Sequence, residues 1–212
     1  MKPLADCRLY TFIDAAYLGD RSVEHVALAL CDGGSDLIQL RAKNSTAEEV
    51  RRMAERVAPI IARANVGLVI NDHLEVAAAV GADICHLGQE DFFDAGRKHV
   101  SEFPRFPRQP AIGLSTHSPE QAARAVAAAP AYIAIGPVYA TGTKPGARPV
   151  TLEYVRWAAS HVAIPWFAIG GINLRNLDEV LAAGASRICV VSAILNAPDI
   201  AKACREFRRL LP

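Results

Sequence analysis

Two aspartates, Asp72 and Asp91, each follow a short apolar run that is typical of a β-strand. A helix-forming segment, Leu74 to Val80, lies between them, and Gly81 is a typical helix stop. Consecutive parallel strands linked by a helix are neighbours in a sheet, so we expect both carboxylates at one sheet edge. Two carboxylates there form half of a Mg²⁺ site, with water and a ligand phosphate completing an octahedron. The alternative is that each aspartate caps the helix that follows it.

Polar side chains also follow the other apolar runs of the chain. They are Gln39, Arg41, Lys43, Asn71, His86, Gln89, Ser115, His117, Thr141, Thr143, Lys144 and Ser192. Cations and hydroxyl groups predominate, and both bind phosphate. Gly171 permits close approach of the backbone, and Ser192 is placed to open a short helix whose N–H groups face an anion. This set predicts a heavily phosphorylated ligand.

Most of these residues also have an ordinary structural explanation. Gly171 can belong to a tight turn, while Arg41 and Lys43 can be solvated surface charges. His117 can be a histidine at the start of a helix, and His86 lies on a strand where it can simply point into the wall of the fold. The residue types alone therefore leave both explanations open.

Apolar runs alternate with segments of helical periodicity along the whole chain, as in sheets of parallel strands that helices cover on both faces. Eight strands are predicted, beginning near residues 8, 36, 69, 84, 111, 131, 165 and 187, and the last of them runs from Arg187 to Val191. Thr46 with Glu49 predicts a capping box at the start of a helix from about Ala47 to Ala64, and a later helix is predicted from Leu174 to Ala183. No G-x-G-x-x-G follows the first strand, which counts against a dinucleotide-binding fold. We predict an α/β protein, a single (β/α)8 TIM barrel formed by residues 1–212 as one domain, with its chemistry at the carboxyl ends of the strands.

The composition narrows the class of protein. The net charge of +1 gives no support to nucleic-acid binding, and the five cysteines lack C-x-x-C spacing, which favours buried thiols and a cytoplasmic location. The N-terminus has no apolar core of a signal peptide, and the uncharged stretch from Ala125 to Thr143 is interrupted by proline and glycine. We therefore expect small-molecule substrates and no membrane contact. The sequence does not determine the oligomeric state, and a homo-oligomer is compatible with it.

Seven motifs, in order, resemble those of the thiamine-phosphate synthase family. They are Gln39-Leu40-Arg41-Ala42-Lys43, Ile70-Asn71-Asp72, Gly81-Ala82-Asp83 with His86-Leu87-Gly88-Gln89-Glu90-Asp91, Gly113-Leu114-Ser115-Thr116-His117, Gly136 to Lys144, Ala168-Ile169-Gly170-Gly171-Ile172, and Val190-Val191-Ser192-Ala193-Ile194. Each motif is modest by itself, but seven with matching order and spacing are specific. The resemblance covers nearly the full chain.

The resemblance implies a transferase that joins 4-amino-2-methyl-5-pyrimidinylmethyl diphosphate to 4-methyl-5-(2-phosphoethyl)thiazole, or to its carboxylated form. The products would be thiamine phosphate and diphosphate. By the same resemblance, the pyrimidine diphosphate would be held by Gln39, Leu40, Arg41, Ala42, Lys43, Asn71, Ser115 and Lys144. The thiazole phosphate would be held by Thr141, Gly142, Thr143, Gly171, Val191 and Ser192. Asp72 and Asp91 would hold Mg²⁺.

The implied reaction needs charge neutralisation more than a nucleophile. The departing diphosphate develops negative charge, which Mg²⁺ and the cations Arg41, Lys43 and Lys144 would stabilise as the catalytic groups. The electron-rich aminopyrimidine can stabilise the carbocation left behind. We therefore expect a dissociative substitution without a protein nucleophile.

Three other functions remain open at this stage. A related thiazole tautomerase would use a histidine such as His117 as an acid–base group, whereas a non-catalytic ligand-binding paralogue would have lost an aspartate or the lysine of the T-x-T-K loop. A generic phosphate-binding isomerase would turn over without Mg²⁺. Two departures from the family pattern, Ala42 in place of a frequent acid and His73 in place of a frequent arginine, flank matched residues.

Overall fold

The computed structural model describes residues 1–142 and 148–212 of the chain. Eight parallel strands pair in chain order, and β1 pairs with β8 to close a barrel. The strands are β1 (Leu9–Asp14), β2 (Leu37–Arg41), β3 (Gly67–Asn71), β4 (Ile84–Leu87), β5 (Ala111–Thr116), β6 (Tyr132–Ile135), β7 (Trp166–Ile169) and β8 (Ile188–Cys189). The predicted (β/α)8 barrel is confirmed.

Helices connect the strands and cover the outside of the barrel. They are α1 (Val23–Asp32), α2 (Ala47–Arg63), α3 (Leu74–Ala79), α4 (Pro119–Ala127), α5 (Thr151–His161), α6 (Leu177–Ala182), α7 (Ser192–Leu195) and α8 (Ile200–Leu210). Side-chain caps begin several of them. The predicted capping box of α2 is present, with Thr46 Oγ1 accepting from the Glu49 N–H at 3.3 Å and the Glu49 carboxylate accepting from the Thr46 N–H at 2.7 Å.

Strands covered on both faces explain the continuous apolar runs. Every residue of β1, β3, β4 and β6 is buried. Inside the barrel, Tyr10, Tyr132 and Phe167 meet edge to face, with ring centroids 5.3, 5.4 and 5.9 Å apart. The barrel interior is therefore packed with aromatic side chains beneath its open end.

Two buried aspartates tie neighbouring strands together where the strands begin. One oxygen of Asp36, just before β2, accepts from the backbone N–H groups of Arg8 and Leu9, at 2.6 and 3.0 Å. Asp83, just before β4, accepts in the same way from the Leu68 N–H at 3.0 Å. Both contacts join the start of an even-numbered strand to the strand before it. They stabilise the face of the barrel opposite the predicted site.

Two predicted element boundaries are wrong. Helix α6 begins at Leu177 and not at Leu174, because the Asn176 side chain accepts from the Asn173 N–H at 2.8 Å and forms a turn there. Strand β8 has only two residues, Ile188–Cys189, in place of the predicted Arg187–Val191. An unpredicted π-helical turn also follows β4, at Glu90–Asp94.

Strand β6 lies at the centre of the uncharged stretch that begins at Ala125. No helix within residues 1–142 and 148–212 is long and apolar enough to cross a bilayer. All five cysteines are free. Cys85 and Cys189 are buried, as the sequence predicts.

Candidate active site

A cavity of about 260 Å³ opens at the carboxyl ends of the strands, and each of the eight strands contributes to its wall. Most of the residues selected from the sequence meet there. They are Gln39, Arg41, Lys43, Asn71, Asp72, His86, Asp91, Ser115, His117, Thr141, Gly171, Val191 and Ser192. Closure of the barrel therefore brings together selected residues from the carboxyl ends of seven strands, β2 to β8.

Other residues selected from the sequence do not line this cavity. Leu40 and Ala42 are buried in the hydrophobic core, because alternate residues of a strand point to opposite faces. Gly142 is exposed outside the cavity wall. Thr143 and Lys144 lie outside the described residues.

Asp72 stands at the end of β3 in the left-handed backbone region, with φ of 64°. Its Oδ2 atom lies 2.6 Å from Lys43 Nζ and accepts from Asn71 Nδ2 at 2.6 Å. It does not cap the next helix, since the residue in the N-cap position of α3 is His73, without a side-chain cap. The capping alternative therefore does not explain Asp72.

Asp91 lies in the π-helical turn after β4, where its Oδ2 accepts from the Gly88 N–H at 3.2 Å. A Cβ atom at Gly88 would lie 2.9 Å from Asp91 Oδ2 and 3.0 Å from Glu90 Oε2. Glycine at this position therefore leaves room for two carboxylates, and Glu90, which also lines the cavity, was not selected from the sequence. Asp91 therefore has a single backbone donor among the described residues while it lines the cavity.

No cluster of three or more His, Cys, Asp and Glu side chains that could hold a metal ion occurs in the described part of the chain. A cation at this edge would therefore complete its coordination with water and ligand oxygens. That is the arrangement the sequence predicts from two carboxylates.

Arg41 is held by a carboxylate that sequence reasoning missed. Its Nη1 lies 2.6 Å from Asp14 Oδ2, and the other oxygen of Asp14 accepts from the Ala16 N–H at 3.0 Å. Asp14 is 1% exposed, whereas the guanidinium reaches the cavity wall. The available signal was the alternation of Tyr10, Phe12 and Asp14 along β1, which gives all three the same face.

A chain of hydrogen bonds crosses the barrel interior beneath the cavity. Gln39 Nε2 donates to the Tyr10 hydroxyl at 2.5 Å, which lies 2.9 Å from the Tyr132 hydroxyl. The Tyr132 hydroxyl lies 2.8 Å from His86 Nδ1, and His86 Nε2 lies 2.9 Å from Ser115 Oγ. Tyr10 and Tyr132 were not selected from the sequence, where each stands as one residue of a predicted strand.

Burial determines the protonation states of the titratable groups in this hydrogen-bond chain. Burial, helped by the nearby Lys43 ammonium, lowers the pKa of His86 to about 4. Burial also raises the pKa of Tyr10 and Tyr132 well above the usual value. The His86 imidazole and both phenols are therefore neutral near pH 7.

His117 stands at the end of β5, beside the cavity. Its Nδ1 is hydrogen-bonded to the Gly136 carbonyl oxygen, and its backbone N–H donates to Gln121 Oε1 at 2.8 Å. A carbonyl can only accept, so Nδ1 carries a proton, and Nε2 of a neutral ring would be an acceptor. Nε2 is buried and has no hydrogen-bond partner among the residues that the structure describes.

Gln89, predicted as a polar strand-end residue, has a supporting position outside the cavity wall. Its Nε2 donates to the Ser115 carbonyl oxygen at 2.6 Å, and its Oε1 accepts from Arg124 Nη2 at 2.6 Å. Arg124 lies over the Phe93 ring, 4.0 Å from the centroid. Gln89 therefore fixes the end of β5, where Ser115 lies, to α4.

The glycines after β7 make both a tight turn and part of the cavity wall. Gly171 has φ of 67°, and a Cβ atom there would lie 2.8 Å from the Ala140 carbonyl oxygen. The Asn173 and Asn176 amides donate to the Gly171 carbonyl at 3.1 and 3.0 Å. Ser192 opens the short helix α7, as predicted.

The chain is similar to proteins of known name over nearly its full length. The family model described as thiamine monophosphate synthase matches residues 9–194. The thiamine-phosphate synthase of Lawsonia intracellularis is 38% identical over 208 residues, which cover 97% of this chain and 93% of that protein. The thiamine-phosphate synthase of Thermus thermophilus is 46% identical over 181 residues, with 84% of each chain covered.

Among solved structures, thiamine phosphate pyrophosphorylase from Pyrococcus furiosus superposes with a TM-score of 0.82 at 32% identity, covering 99% of this chain and 97% of that one. A 3-hexulose-6-phosphate synthase, at 20% identity and a TM-score of 0.68, shares the fold alone. The chain therefore belongs to the thiamine monophosphate synthase family and is a transferase of thiamine biosynthesis that joins a pyrimidine to a thiazole.

Proposed function

We propose that this enzyme joins 4-amino-2-methyl-5-pyrimidinylmethyl diphosphate to 4-methyl-5-(2-phosphoethyl)thiazole, or its carboxylated form, with Mg²⁺ as cofactor. The observation that carries the proposal is the pairing of cations with carboxylates on one cavity wall. Arg41 is held by Asp14, and Lys43 contacts Asp72. Such a wall suits a polyanion that binds together with a divalent cation.

The pyrimidine diphosphate fits the side of the cavity formed by β2, β3 and β5. Gln39 and Ser115 offer polar groups to the ring, while Arg41 and Lys43 offer positive charge to the diphosphate. The Asp14 contact fixes the Arg41 guanidinium before any substrate binds, which lowers the cost of ordering it. The Lys43 side chain is 49% exposed and can follow a departing anion.

The donor set fits Mg²⁺. Asp72 and Asp91 supply hard carboxylate oxygens, and Asp72 Oδ2 already attracts an ammonium and an amide N–H. These two residues would hold the ion. When bound, Mg²⁺ would supply charge neutralisation for the leaving diphosphate.

The protein's own residues would then bind and orient the two substrates and exclude water from them. Tyr10 and Phe12, whose rings stack at 5.2 Å, form an apolar floor that keeps water from a carbocation. The thiazole phosphate would be anchored at Gly171 and Ser192, so that the thiazole nitrogen lies roughly 3–3.5 Å from the reacting carbon. Cys189 also lines the cavity, but burial raises the pKa of its thiol, so it is not a ready nucleophile.

The proposal is tested by an assay with both substrates, in which thiamine phosphate is separated and quantified with and without added Mg²⁺. Formation of thiamine phosphate and diphosphate in equal amounts, abolished by EDTA, is the expected result. Full turnover in the presence of EDTA would exclude the metal part of the proposal. Absence of product with both substrates and Mg²⁺ would exclude the transferase reaction itself.

One observation favours a second candidate, isomerisation of the thiazole phosphate by acid–base chemistry. The buried Nε2 of His117, which has no hydrogen-bond partner among the described residues, lies beside the cavity, as the atom of a proton-transfer group would. Incubation with thiazole phosphate alone separates the two candidates, because only an isomerase would exchange its ring protons with solvent. We expect no exchange above the uncatalysed rate.

A further inference from the structure

The hydrogen-bond chain beneath the cavity begins at the side-chain amide of Gln39, whose nitrogen faces Tyr10. Gln39 Nε2 can only donate, so the Tyr10 oxygen accepts. The only described acceptor within reach of the Tyr10 proton is the Tyr132 oxygen, 2.9 Å away. The Tyr132 proton is then left for His86 Nδ1, at 2.8 Å. Each group in this series therefore accepts from the group before it and donates to the group after it.

The direction continues through the histidine. A neutral imidazole has one N–H, and when Nδ1 accepts, the proton lies on Nε2. Nε2–H then donates to Ser115 Oγ, which lies 2.9 Å away. The Ser115 hydroxyl proton has no other acceptor among the described residues and remains available to the cavity that Ser115 lines.

The reverse direction is less favourable. With Gln39 Nε2 donating, a reversed chain gives the Tyr10 oxygen two donors and leaves the Tyr10 proton without a described acceptor. Tyr10 is 1% exposed, and a buried donor without a partner is costly. Reversal without that cost requires the carbonyl oxygen of Gln39, and not its amide nitrogen, to face Tyr10.

We propose that Tyr132 and His86 are positioning residues that carry one hydrogen-bond direction from Gln39 to Ser115, so that the Ser115 hydroxyl is held as a donor toward the ligand. Tyr132 does not itself line the cavity. It acts only through His86, whose ring it stacks against at 5.6 Å with an interplanar angle of 19°.

This order of donors and acceptors would select a ligand by the donor and acceptor groups on its ring. This step of the inference rests on the proposed function. Ser115 then requires an acceptor, and Gln39, one of whose two amide N–H bonds donates to Tyr10, presents its carbonyl oxygen to a donor. An aminopyrimidine offers both, through its ring nitrogens and its exocyclic amine. An oxopyrimidine, which carries a ring N–H and a carbonyl oxygen, offers the opposite polarity and leaves polar groups unpaired.

The proton order is tested in the ligand-free protein, independently of any activity. In protein with ¹⁵N-labelled histidine, the NMR signals of His86 should show a neutral ring protonated at Nε2. Tyr132→Phe should shift the Nδ1 signal, because it removes the donor to that atom. A proton on Nδ1 of wild-type His86 would overturn the proposal, whatever reaction the enzyme catalyses.

The consequence for recognition is tested by binding of amino and oxo analogues of the pyrimidine diphosphate, measured by calorimetry. Tyr132→Phe should reduce the preference for the amino form by about tenfold, the loss of one well-oriented hydrogen bond. In a Ser115→Ala background the same substitution should change the preference by less than about twofold. Equal effects of Tyr132→Phe in both backgrounds would contradict action through Ser115.

Tyr154→Phe is the matched control. The Tyr154 hydroxyl is also buried and donates to Thr116 Oγ1 at 2.7 Å, one residue beyond Ser115 on β5, but it has no described contact with the chain from Gln39 to Ser115. We expect its amino-to-oxo preference to stay within about twofold of wild type. An equal loss in Tyr154→Phe would assign the effect to general destabilisation and overturn the proposal. If wild type fails to bind either analogue, the proposed function fails while the NMR result still decides the proton order.

Discussion

Single residues in this site act in pairs of opposite or complementary character. Asp14 fixes Arg41 from a buried position, whereas Asp72 meets Lys43 at the exposed rim of the cavity. A buried carboxylate holds its cation in one orientation, whereas a carboxylate at the exposed rim can release its cation to another ligand. The first pair therefore provides a fixed anion contact and the second an adjustable one. Both ways of placing positive charge would suit the leaving diphosphate of the proposed reaction.

The two carboxylates of the proposed metal site, Asp72 and Asp91, give a prediction about metal dependence. Asp72→Asn and Asp91→Asn should each raise the Mg²⁺ concentration needed for half-maximal activity by roughly tenfold or more, because each removes one carboxylate oxygen donor. Activity is measured across a Mg²⁺ titration, with thermal unfolding to confirm the fold. Asp94→Asn, a change of the same type at an exposed residue that does not line the cavity, is the control. A normal Mg²⁺ requirement in either site variant would remove that aspartate from the metal site.

His117 gives a prediction that separates the two candidate reactions. A dissociative displacement needs no general base, so His117→Ala should retain a substantial share of transferase activity. Loss of obligatory acid–base catalysis would instead cost about 10²–10⁴-fold. Steady-state kcat with both substrates is the measurement, and His25→Ala, an exposed helix position, is the control. A loss at the upper end of that range, in a folded protein, would contradict the mechanism.

At the scale of elements, three adjacent strands are adapted to one another. His86, Gly113 and Tyr132 are register partners on β4, β5 and β6. A Cβ atom at Gly113 would lie 2.3 Å from Cζ of Tyr132, so only glycine leaves room for the phenol to reach His86. The absence of a side chain on β5 is thus a condition for the hydrogen-bond chain.

Gly113→Ala should therefore destabilise the protein by about 1–3 kcal/mol through overpacking. It should also displace the Tyr132 ring and weaken the amino-to-oxo preference described above. Urea unfolding gives the free energy, and Gly142→Ala, whose added Cβ would meet no atom of the described residues within 4 Å, is the stability control. Equal stability of Gly113→Ala and wild type would show that the strands can move apart at no cost.

At the scale of the whole molecule, closure of the barrel removes thiols from solvent as well as apolar side chains. Burial raises the pKa of Cys7 from its ordinary value of 9.0 to about 11, and nearby Asp36 adds to the effect. The same cause raises the pKa of Cys31 to about 11 and that of Cys204 to about 12. These thiols are poor nucleophiles in the folded state.

A pH dependence of stability follows from Cys7. A pKa that is raised on folding gives stability that is complete below the unfolded value and is lost as pH rises through the folded value. The free energy of unfolding should therefore fall between pH 9.0 and about 11. Other groups titrate in this range, so the difference in slope between wild type and Cys7→Ala isolates the thiol. Identical slopes in urea unfolding at several pH values would contradict the assignment.

Local patterns were sufficient to predict the alternation of strands and helices, the capping box at Thr46 and the strand ends where Asp72, Ser115 and Ser192 lie. Periodicity, caps and stop residues act over a few neighbouring positions, so the sequence alone determines them. Motif order was sufficient to place the chain in its family. The roles of the individual site residues stay predictions.

Only the tertiary structure decided which side chains meet across the barrel. Tyr10 and Tyr132 are separated by 122 positions in the chain, yet their hydroxyls lie 2.9 Å apart. The partners Asp14 and Arg41 are likewise brought together by the pairing of β1 with β2. No local pattern records such contacts, because they depend on closure of all eight strands and on the register that closure imposes. Sequence therefore determined where polar groups stand on each strand, and barrel closure determined which of them donate to one another.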